Sequence, residues 1–309
     1  MDSKKAFITG AGGFIGTNLI KYLISKDYHV TAMGSGKIEP DELKPMGAGT
    51  WIDGPVTLHN LKQLSLQPDY IFHCAGSGSV GYSIENPYAD FQSNASSLVE
   101  LLEYVRIHSP GSKVVYLSSG AVYGGNSKIP MSENDIPMPV SPYGHHKLIG
   151  ERICKSYSQQ FQIKTISVRL FSIYGEGLKK QLLWDACRKI SSGNYEFYGT
   201  GKEIRDWLHV DDAVRLLELA VKNADINSPV VNAGTGFKIT IREILEEIFE
   251  YLNKTGQPEF LQKSRAGDPA QFLADVTTAN RLGWSPEIDV SEGLKRYVSW
   301  FSREELNQK

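Results

Sequence analysis

The chain is poor in cysteine, and its few histidines are scattered. Only three cysteines occur in 309 residues, at Cys74, Cys154 and Cys187, far apart and odd in number. This spacing excludes a disulfide scaffold and is typical of reduced thiols, so we expect a cytoplasmic protein. The seven histidines form no HExxH motif, and no cysteine pair has the spacing of metal ligands. We therefore expect no catalytic metal.

The sequence also lacks long hydrophobic runs and an excess of charge of one sign. It contains no run of about 18 apolar residues, so no membrane-spanning helix is expected. The N-terminal segment MDSKKAFITG does not have the layout of a signal peptide. The net charge is −2 and no long run of lysine or arginine occurs. We therefore expect neither nucleic acid nor a membrane as a partner.

What the sequence does contain is an alternation of short apolar segments with longer helical patterns. Strands are predicted at residues 5–9, 29–33, 50–53, 69–75, 113–119 and 164–170, with helices at 13–25, 88–108 and 144–160. This alternation predicts an α/β fold with a doubly wound, mostly parallel sheet. We predict a first domain over residues 1–175, with a return segment near 205–235. A smaller C-terminal α/β lobe would span residues 176–309.

The first predicted strand runs into a glycine-rich loop, TGAGGFIG, at residues 9–16. Gly10, Gly13 and Gly16 are spaced three apart and open the first predicted helix, where backbone N–H groups and the helix N-terminus favour an anion. This pattern predicts a dinucleotide pyrophosphate site, with Phe14 and Ile15 beside it. A Walker A loop is excluded because Ile15-Gly16 stands where that motif has Lys-Ser/Thr.

The end of the second strand bears on which dinucleotide binds. Many NAD sites have Asp or Glu there to bond the adenosine ribose, but this chain has Gly34. Ser35 and Lys37 follow closely and could bind a 2′-phosphate. The sequence therefore favours NADP(H), while NAD stays possible because some NAD sites also lack the acid.

Two tyrosine–lysine pairs have the same spacing of four residues. Tyr22 and Lys26 lie on the helix after the glycine loop, whereas Tyr143 and Lys147 begin a later helix, in SPYGHHK. Residues four apart share a helix face. Tyr22 lies about two turns into its helix, whereas Tyr143 begins its helix and follows Ser119, which ends a strand at the expected ligand-binding edge of the sheet. We therefore predict that Tyr143 and Lys147 are the catalytic pair.

Ser119, at the end of the predicted strand KVVYLSS, completes this candidate catalytic set. A tyrosine has a pKa of about 10, and a nearby ammonium lowers it. Tyr143 could then exchange a proton with a substrate oxygen that Ser119 holds, while hydride moves to or from a nicotinamide. Ser118 would take this role if the register of the strand differed by one residue.

The chain resembles the extended short-chain dehydrogenase/reductase family, whose members act on nucleotide sugars. The resemblance rests on TGAGGFIG, HCAG, SSGAVYG, SPYGHHK, VRLFSIYG, IRDWLHVDD, NAGTG and RAGDPAQFLAD. It is closest to GDP-4-keto-6-deoxymannose reductases and UDP-hexose 4-epimerases. It implies a Rossmann-like dinucleotide-binding domain, a substrate-binding lobe, and a homodimer through the helices near 88–108 and 144–160.

The resemblance also assigns roles to residues outside the catalytic set. The positions that would contact the cofactor are Asp53 at the adenine, Ala75, Gly76, Asn94 and Ile173, besides the glycine loop, Tyr143 and Lys147. The positions that would contact the substrate are Ser79, Ser119, Ser172, Arg205 and Arg265. The arginines suit a diphosphate because a guanidinium fork matches phosphate oxygens, although each could instead form a structural ion pair. Asp211 is expected to cap the following helix.

Two positions depart from the family pattern. Family members usually have Asn where this chain has Ser172, which leaves that sugar contact open. Gly120 and Ala121 follow Ser119, where related 4,6-dehydratases carry carboxylates. A dehydratase is therefore not expected.

Three functions are compatible with these residues. The favoured one is NADPH-dependent reduction of the 4-keto group of a nucleoside-diphosphate 4-keto-6-deoxy sugar, with Tyr143 as proton donor. The alternative is an NAD-dependent nucleotide-sugar 4-epimerase, such as a UDP-hexose 4-epimerase, which uses the same catalytic residues. A non-catalytic dinucleotide-binding protein is the third, and an intact Ser-Tyr-Lys set argues against it.

Overall fold

The computed structural model describes residues 3–34, 49–64, 66–124, 128–263 and 271–307. The first part of the chain alternates strands and helices. Its elements are β1 (Lys5–Thr9), α1 (Phe14–Ser25), β2 (His29–Gly34), β3 (Thr50–Asp53), α2 (Leu58–Lys62), β4 (Tyr70–His73), α3 (Val80–Glu85), α4 (Pro87–Phe91), a π-helical turn (Gln92–Ser96), α5 (Ser97–His108), β5 (Lys113–Ser119), a 3₁₀ turn (Gly120–Val122), α6 (Pro142–Phe161) and β6 (Lys164–Leu170).

The second part of the chain contains more helix and shorter strands. Its elements are β7 (Ser172–Tyr174), α7 (Gln181–Ser191), β8 (Glu196–Phe197), β9 (Ile204–Arg205), β10 (Trp207–His209), α8 (Val210–Lys222), β11 (Val230–Ala233), β12 (Ile239–Thr240), α9 (Ile241–Tyr251), β13 (Glu259–Phe260), β14 (Gln271–Phe272), α10 (Thr277–Arg281) and α11 (Val290–Asn307).

Seven strands form one sheet in the order β11-β6-β5-β4-β1-β2-β3, and every neighbouring pair is parallel. The order reverses beside β1, so β1 and β4 open the crevice at the carboxyl edge where doubly wound folds bind ligands. The predicted fold class is confirmed. The short strands β7–β10 and β12–β14 form three smaller sheets beside this edge.

The sheet is buried on both faces because helices cover each of them. Alternate residues of β1 point to opposite faces. Ala6 and Ile8 pack with α1 and α8, whereas Phe7 packs with α5 and α6. A strand buried on both sides must be apolar along its length, which explains the continuous run KAFIT.

A separate apolar core lies between α7, α9 and α11. Its α9 begins with a capping box, in which the Thr240 hydroxyl accepts from the N–H of Glu243 and the Glu243 carboxylate accepts from the N–H of Thr240. Phe14, the first residue of α1, packs against both this core and the sheet core. The glycine loop therefore lies where the two apolar cores meet.

The structure differs from the sequence predictions in two helices. The helix expected at 88–108 is α4, a π-helical turn and α5 in succession. Asp211 does not cap α8, so that prediction is wrong. The cap is His209, whose Nδ1 accepts from the N–H of Asp211 at 3.3 Å, and Asp211 lies in the first turn. Among the described residues, no helix is long and apolar enough to cross a membrane.

Candidate active site

The glycine loop joins β1 to α1 with its backbone pressed against the turn after β4. Gly10 has a φ of +64°, and a Cβ there would lie 2.5 Å from the backbone N of Ala75. Only glycine permits both this conformation and this contact. Gly13, at the N-cap of α1, makes no side-chain capping bond, and no acid lies in the first turn. The N-terminus of α1 thus offers unbonded N–H groups that suit a pyrophosphate.

A buried hydrogen-bonded chain, not predicted from the sequence, fixes the ends of β1 and β4. His73 Nδ1 lies 2.9 Å from Thr9 Oγ1, and His73 Nε2 lies 3.3 Å from Ser97 Oγ. Ser97 Oγ already donates to the carbonyl of Ser93, so Nε2 carries the imidazole proton and Thr9 donates to Nδ1. Burial, assisted by the Lys147 charge, lowers the pKa of His73 to about 3. The imidazole is therefore neutral and its two bonds are fixed.

The end of β2 packs tightly on the glycine loop. A Cβ at Gly34 would lie 3.2 Å from the backbone N of Gly12 and 3.1 Å from the Trp51 ring. The absence of an acid at position 34 thus has a steric cause. It does not by itself favour a cofactor with a 2′-phosphate. Asp53 is exposed at the end of β3, directly beside Gly34 in the strand register.

Ser35 and Lys37, the two residues that favoured NADP(H), lie outside the described residues. The preference for NADP(H) therefore has no support from the part of the chain that the structure describes.

Ser119, Tyr143 and Lys147 converge at the carboxyl end of β5. The Ser119 hydroxyl lies near enough to the Tyr143 hydroxyl to lower its pKa by hydrogen bonding. The Lys147 ammonium lies 5.8 Å from the centre of the Tyr143 ring and donates to the carbonyl of Leu117 at 2.8 Å. The three side chains that the sequence singled out thus meet in one place.

The two alternatives to this set lie elsewhere. Ser118 points away from the site, because its hydroxyl donates at 2.6 Å to Glu151 Oε1, a carboxylate that also pairs with Arg169. Tyr22 packs at the side of the sheet core covered by α1 and α8, where Glu218 is among the charges that act on it. The spacing of Tyr22 and Lys26 therefore has no bearing on the site.

Burial dominates the ionisation of the two catalytic candidates. It raises the pKa of Tyr143 to about 12; the Ser119 hydrogen bond opposes this and the Asp90 charge adds to it. It lowers the pKa of Lys147 to about 8, and the Asp90 charge is the largest effect that opposes it. The sequence argument expected the Lys147 ammonium to lower the pKa of Tyr143. The protein alone keeps Tyr143 a neutral phenol at neutral pH.

Asn94 lies in the π-helical turn, beside Gly76 and Lys147. Gly76 has a φ of +140°, and a Cβ there would lie 2.4 Å from Asn94 Oδ1 and 3.5 Å from Lys147 Nζ. Asn94 Nδ2 donates to the carbonyl of Asp90 at 3.1 Å, whereas Oδ1 is buried without a hydrogen-bond partner. An unsatisfied buried acceptor next to an ammonium fits a polar ligand. These residues fit the nicotinamide half of a dinucleotide.

Ser83 is a further residue that sequence reasoning missed. Its buried hydroxyl accepts from the N–H of Tyr143 at 3.1 Å and donates to the carbonyl of Val80 at 2.7 Å. It thereby satisfies one of the unpaired N–H groups at the start of α6 and ties that helix to α3. Ser79, predicted to contact substrate, accepts from the N–H of Tyr82 at 3.2 Å as the N-cap of α3.

Two of the predicted substrate residues, Ser172 and Arg205, lie on short strands in the second part of the chain. Ser172 starts β7, and the buried Ile173 follows it. Arg205 lies in β9, paired with Phe272 of β14, and is half-buried. Arg265 lies outside the described residues.

The ring of Phe272 covers Gly120 and contacts the Phe171 ring, with 4.5 Å between ring centres. A Cβ at Gly120 would lie 2.5 Å from the Phe272 ring. No carboxylate could occupy position 120 without displacing that ring, which agrees with the expectation that the chain is not a dehydratase.

Comparison with known proteins gives a family match and solved structures of the same fold. Residues 6–234 match the family described as the NAD dependent epimerase/dehydratase family. UDP-glucuronate 4-epimerase 2 of Arabidopsis thaliana is 27% identical, over 95% of this chain and 75% of the plant protein.

Two solved structures superpose over nearly the whole chain. The UDP-N-acetylglucosamine 4-epimerase of Methanobrevibacter ruminantium, in complex with UDP-N-acetylmuramic acid, has 26% identity and a TM-score of 0.88, and covers 98% of this chain and 100% of its own. MoeE5, in complex with UDP-glucuronic acid and NAD, has 29% identity and a TM-score of 0.86, and covers 97% of this chain and 99% of its own.

Proposed function

This chain belongs to the NAD dependent epimerase/dehydratase family, and from that premise we propose that it is a UDP-sugar 4-epimerase that works with NAD. It is an NAD(P)-dependent nucleotide-sugar enzyme of the extended short-chain dehydrogenase/reductase type. The meeting of Ser119, Tyr143 and Lys147 supports proton exchange at a substrate oxygen in either reaction, and the likeness to 4-epimerases carries the choice between the two reactions. The plant and Methanobrevibacter relatives are 4-epimerases, which favours the alternative from the sequence over the 4-keto reductase.

The proposal of NAD as cofactor has a physical basis at the adenosine end. The exposed carboxylate of Asp53, which the resemblance assigns to the adenine, lies next to Gly34, and we propose that it also faces the ribose hydroxyls of the adenosine. A carboxylate bonds ribose hydroxyls, whereas it would repel the 2′-phosphate of NADP. MoeE5, which has a similar structure, binds NAD.

In the proposed mechanism, Tyr143 first releases its own proton to solvent, favoured by the positive charges of Lys147 and of the bound cofactor. The phenolate then takes the proton of the sugar C4 hydroxyl while Ser119 holds the same oxygen by a hydrogen bond. When bound, an oxidised dinucleotide would supply the hydride acceptor and donor for C4 and a positive charge near the phenol. Lys147 would hold the nicotinamide ribose, and Asn94 Oδ1 would accept a hydrogen bond from the same half of the cofactor. The 4-keto sugar then turns its other face toward the nicotinamide site. Tyr143 returns the proton to the C4 alkoxide, which now has the opposite configuration.

We also propose the division of labour between the two parts of the chain. The sheet domain, residues 1–175 with the return segment near 205–235, would hold the dinucleotide. The C-terminal lobe, residues 176–309, has its own apolar core and would hold the nucleotide sugar. We assign the binding of the diphosphate to Arg205 and Arg265, because a guanidinium fork matches phosphate oxygens.

A homodimer through the helices near 88–108 and 144–160 is also proposed. Exposed apolar side chains lie on α4, α5 and α6, namely Tyr88, Phe91, Val99, Ile107, Ile149 and Phe161. Clustered exposed apolar residues on a folded protein mark an interaction surface. Light scattering after size exclusion should give twice the mass of one chain, and the mass of a single chain would contradict the proposal.

The function is tested with purified protein and UDP-glucose, UDP-glucuronic acid and UDP-N-acetylglucosamine, each followed by proton NMR. We expect one of them to be converted to its C4 epimer without added dinucleotide, and denaturation to release NAD. Absence of any epimer, together with NADPH consumption in the presence of a nucleoside-diphosphate 4-keto-6-deoxy sugar, would establish the reductase instead.

The catalytic assignment is tested by Tyr143→Phe, which removes only the proton-exchanging hydroxyl. Turnover should fall about 100-fold or more. Tyr22→Phe is the matched control, because that residue has the same spacing to a lysine but lies away from the site. Equal activity of the two variants would refute the role of Tyr143.

A further inference from the structure

Asp90 is a carboxylate buried within the protein, next to the candidate catalytic residues. Its side chain on α4 has no exposed surface. Oδ2 accepts from His146 Nδ1 at 2.6 Å, whereas Oδ1 is buried with no hydrogen-bond partner. A buried, half-satisfied carboxylate is costly for folding. The proton and hydride steps give it no role, so its position requires a reason.

The surroundings of Asp90 connect it to Lys147. Its partner His146 directly precedes Lys147 on α6. The Asp90 carbonyl accepts from the side chain of Asn94, whose other end lies beside Gly76, next to the Lys147 ammonium. Asp90 therefore borders the same buried volume as the ammonium.

The other titratable groups around Lys147 provide no opposite charge at neutral pH. They are His73 and Cys74 at the end of β4, Tyr116 of β5 and Tyr143 of α6. Burial lowers the pKa of His73 and raises those of Cys74, Tyr116 and Tyr143, so all four are neutral. Among these described groups that face Lys147, Asp90 alone is a carboxylate.

An ammonium in this position needs an opposite charge. Lys147 is 5% exposed, and burial by itself favours the uncharged amine. The Asp90 charge works in the other direction and is the first of the two effects that raise the pKa of Lys147. A neutral amine would lose the electrostatic attraction to the phenolate and to electronegative groups of the cofactor.

On the basis of the proposed function, we propose that Asp90, oriented by His146, is a positioning residue that keeps the Lys147 ammonium charged beside Tyr143 and the nicotinamide ribose. His146 fixes Oδ2 and leaves Oδ1 facing the protein interior. The same carboxylate disfavours the phenolate of Tyr143. Asp90 thus stabilises the cation and keeps Tyr143 protonated until the cofactor binds.

The direct test is the protonation of Lys147 in Asp90→Asn, which keeps the size of the side chain and removes its charge. With lysine labelled at Cε, the carbon chemical shift of Lys147 is followed against pH in the protein as purified, and Lys147→Arg identifies the signal. The midpoint should fall by about one pH unit or more relative to the unmodified protein. His146→Asn should lower it as well, but by less.

His145→Asn is the control, because His145 is the exposed neighbour of His146 on the same helix. It should leave the midpoint of Lys147 unchanged. An unchanged midpoint in Asp90→Asn would overturn the proposal whatever reaction the protein catalyses, because the titration does not depend on a substrate.

The kinetic consequence separates this role from a merely structural one. The alkaline limb of kcat/KM, which reports the loss of the Lys147 proton, should move to lower pH by the same amount as the midpoint. At a fixed pH on that limb, activity then falls about tenfold for every pH unit that the limb moves. If kcat/KM fell by the same factor at every pH, and neither limb of its pH profile moved, the role of Asp90 would be only structural. If the midpoint falls but no UDP-sugar is epimerised, the proposed function fails and the role of Asp90 remains.

Discussion

His73 gives a prediction whose size follows from the structure. In the unfolded chain its pKa is near the ordinary 6.5, and in the folded protein burial lowers it to about 3. Between these values the unfolded chain binds one proton more than the folded protein. Stability therefore rises with pH in this window and is lost as the pH falls from 6.5 toward 3. One proton corresponds to about 1.4 kcal/mol of unfolding free energy per pH unit.

The perturbation is His73→Gln, which keeps a donor and an acceptor but cannot titrate. Losing the fixed bonds to Thr9 and Ser97 should cost about 1–3 kcal/mol at pH 7. Urea unfolding is measured at pH 7, 5.5 and 4.5 for both proteins. Between pH 5.5 and 4.5 the unfolding free energy of the unmodified protein should fall by about 1.4 kcal/mol more than that of the variant. All other titratable groups contribute equally to the two proteins, so the difference reports His73 alone.

The control is His59→Gln, since His59 is exposed on α2. The unfolding free energy of His59→Gln should show the same dependence on pH as that of the unmodified protein. If the unfolding free energies of the unmodified protein and His73→Gln run parallel between pH 5.5 and 4.5, the imidazole is not held neutral and the assigned hydrogen-bond directions are wrong.

Two further substitutions test the geometry around the catalytic set. Gly76→Ala places a methyl group 2.4 Å from Asn94 Oδ1 at a φ of +140°. The free energy of unfolding should therefore fall by about 2 kcal/mol, and less NAD should remain bound after purification. An unchanged urea midpoint and an unchanged NAD content would contradict this prediction. Ser83→Ala removes the acceptor for the N–H of Tyr143. The free energy of unfolding in urea should fall by about 1 kcal/mol, and kcat should fall about tenfold with little change in KM. A kcat equal to that of the unmodified protein would refute the positioning role of Ser83.

The fold, and the meeting of Ser119, Tyr143 and Lys147, could be predicted because their signals are local. Apolar runs of 5–7 residues separated by helical patterns define parallel strands, and the carboxyl end of such a strand places Ser119 at the ligand edge. The strand pattern of β5 could not show whether Ser119 or Ser118 faces the site. That choice depends on Glu151, which is 33 residues from Ser118 in the chain and accepts a hydrogen bond from its hydroxyl.

Other features of the site depend on contacts that no sequence pattern reports. Asp90 and His146 are 56 residues apart, and each alone is typical of a helix surface. A lower pKa of Tyr143 was expected from the charge of Lys147, but burial sets the direction in which both pKa values move. Gly34 was interpreted as a missing acid, whereas its contact with the backbone of Gly12 explains the glycine.

The π-helical turn at Gln92–Ser96 makes the active site sensitive to chain length as well as to residue identity. Each residue of an α-helix turns the chain by about 100°. Loss of one residue from this turn would restore regular winding and rotate α4, with Asp90, relative to α5 by about that angle. The packed leucines of α5, Leu98 and Leu101, would keep their places. Insertion or deletion of one codon here is thus a route by which evolution can exchange the groups behind the catalytic lysine without rebuilding the core.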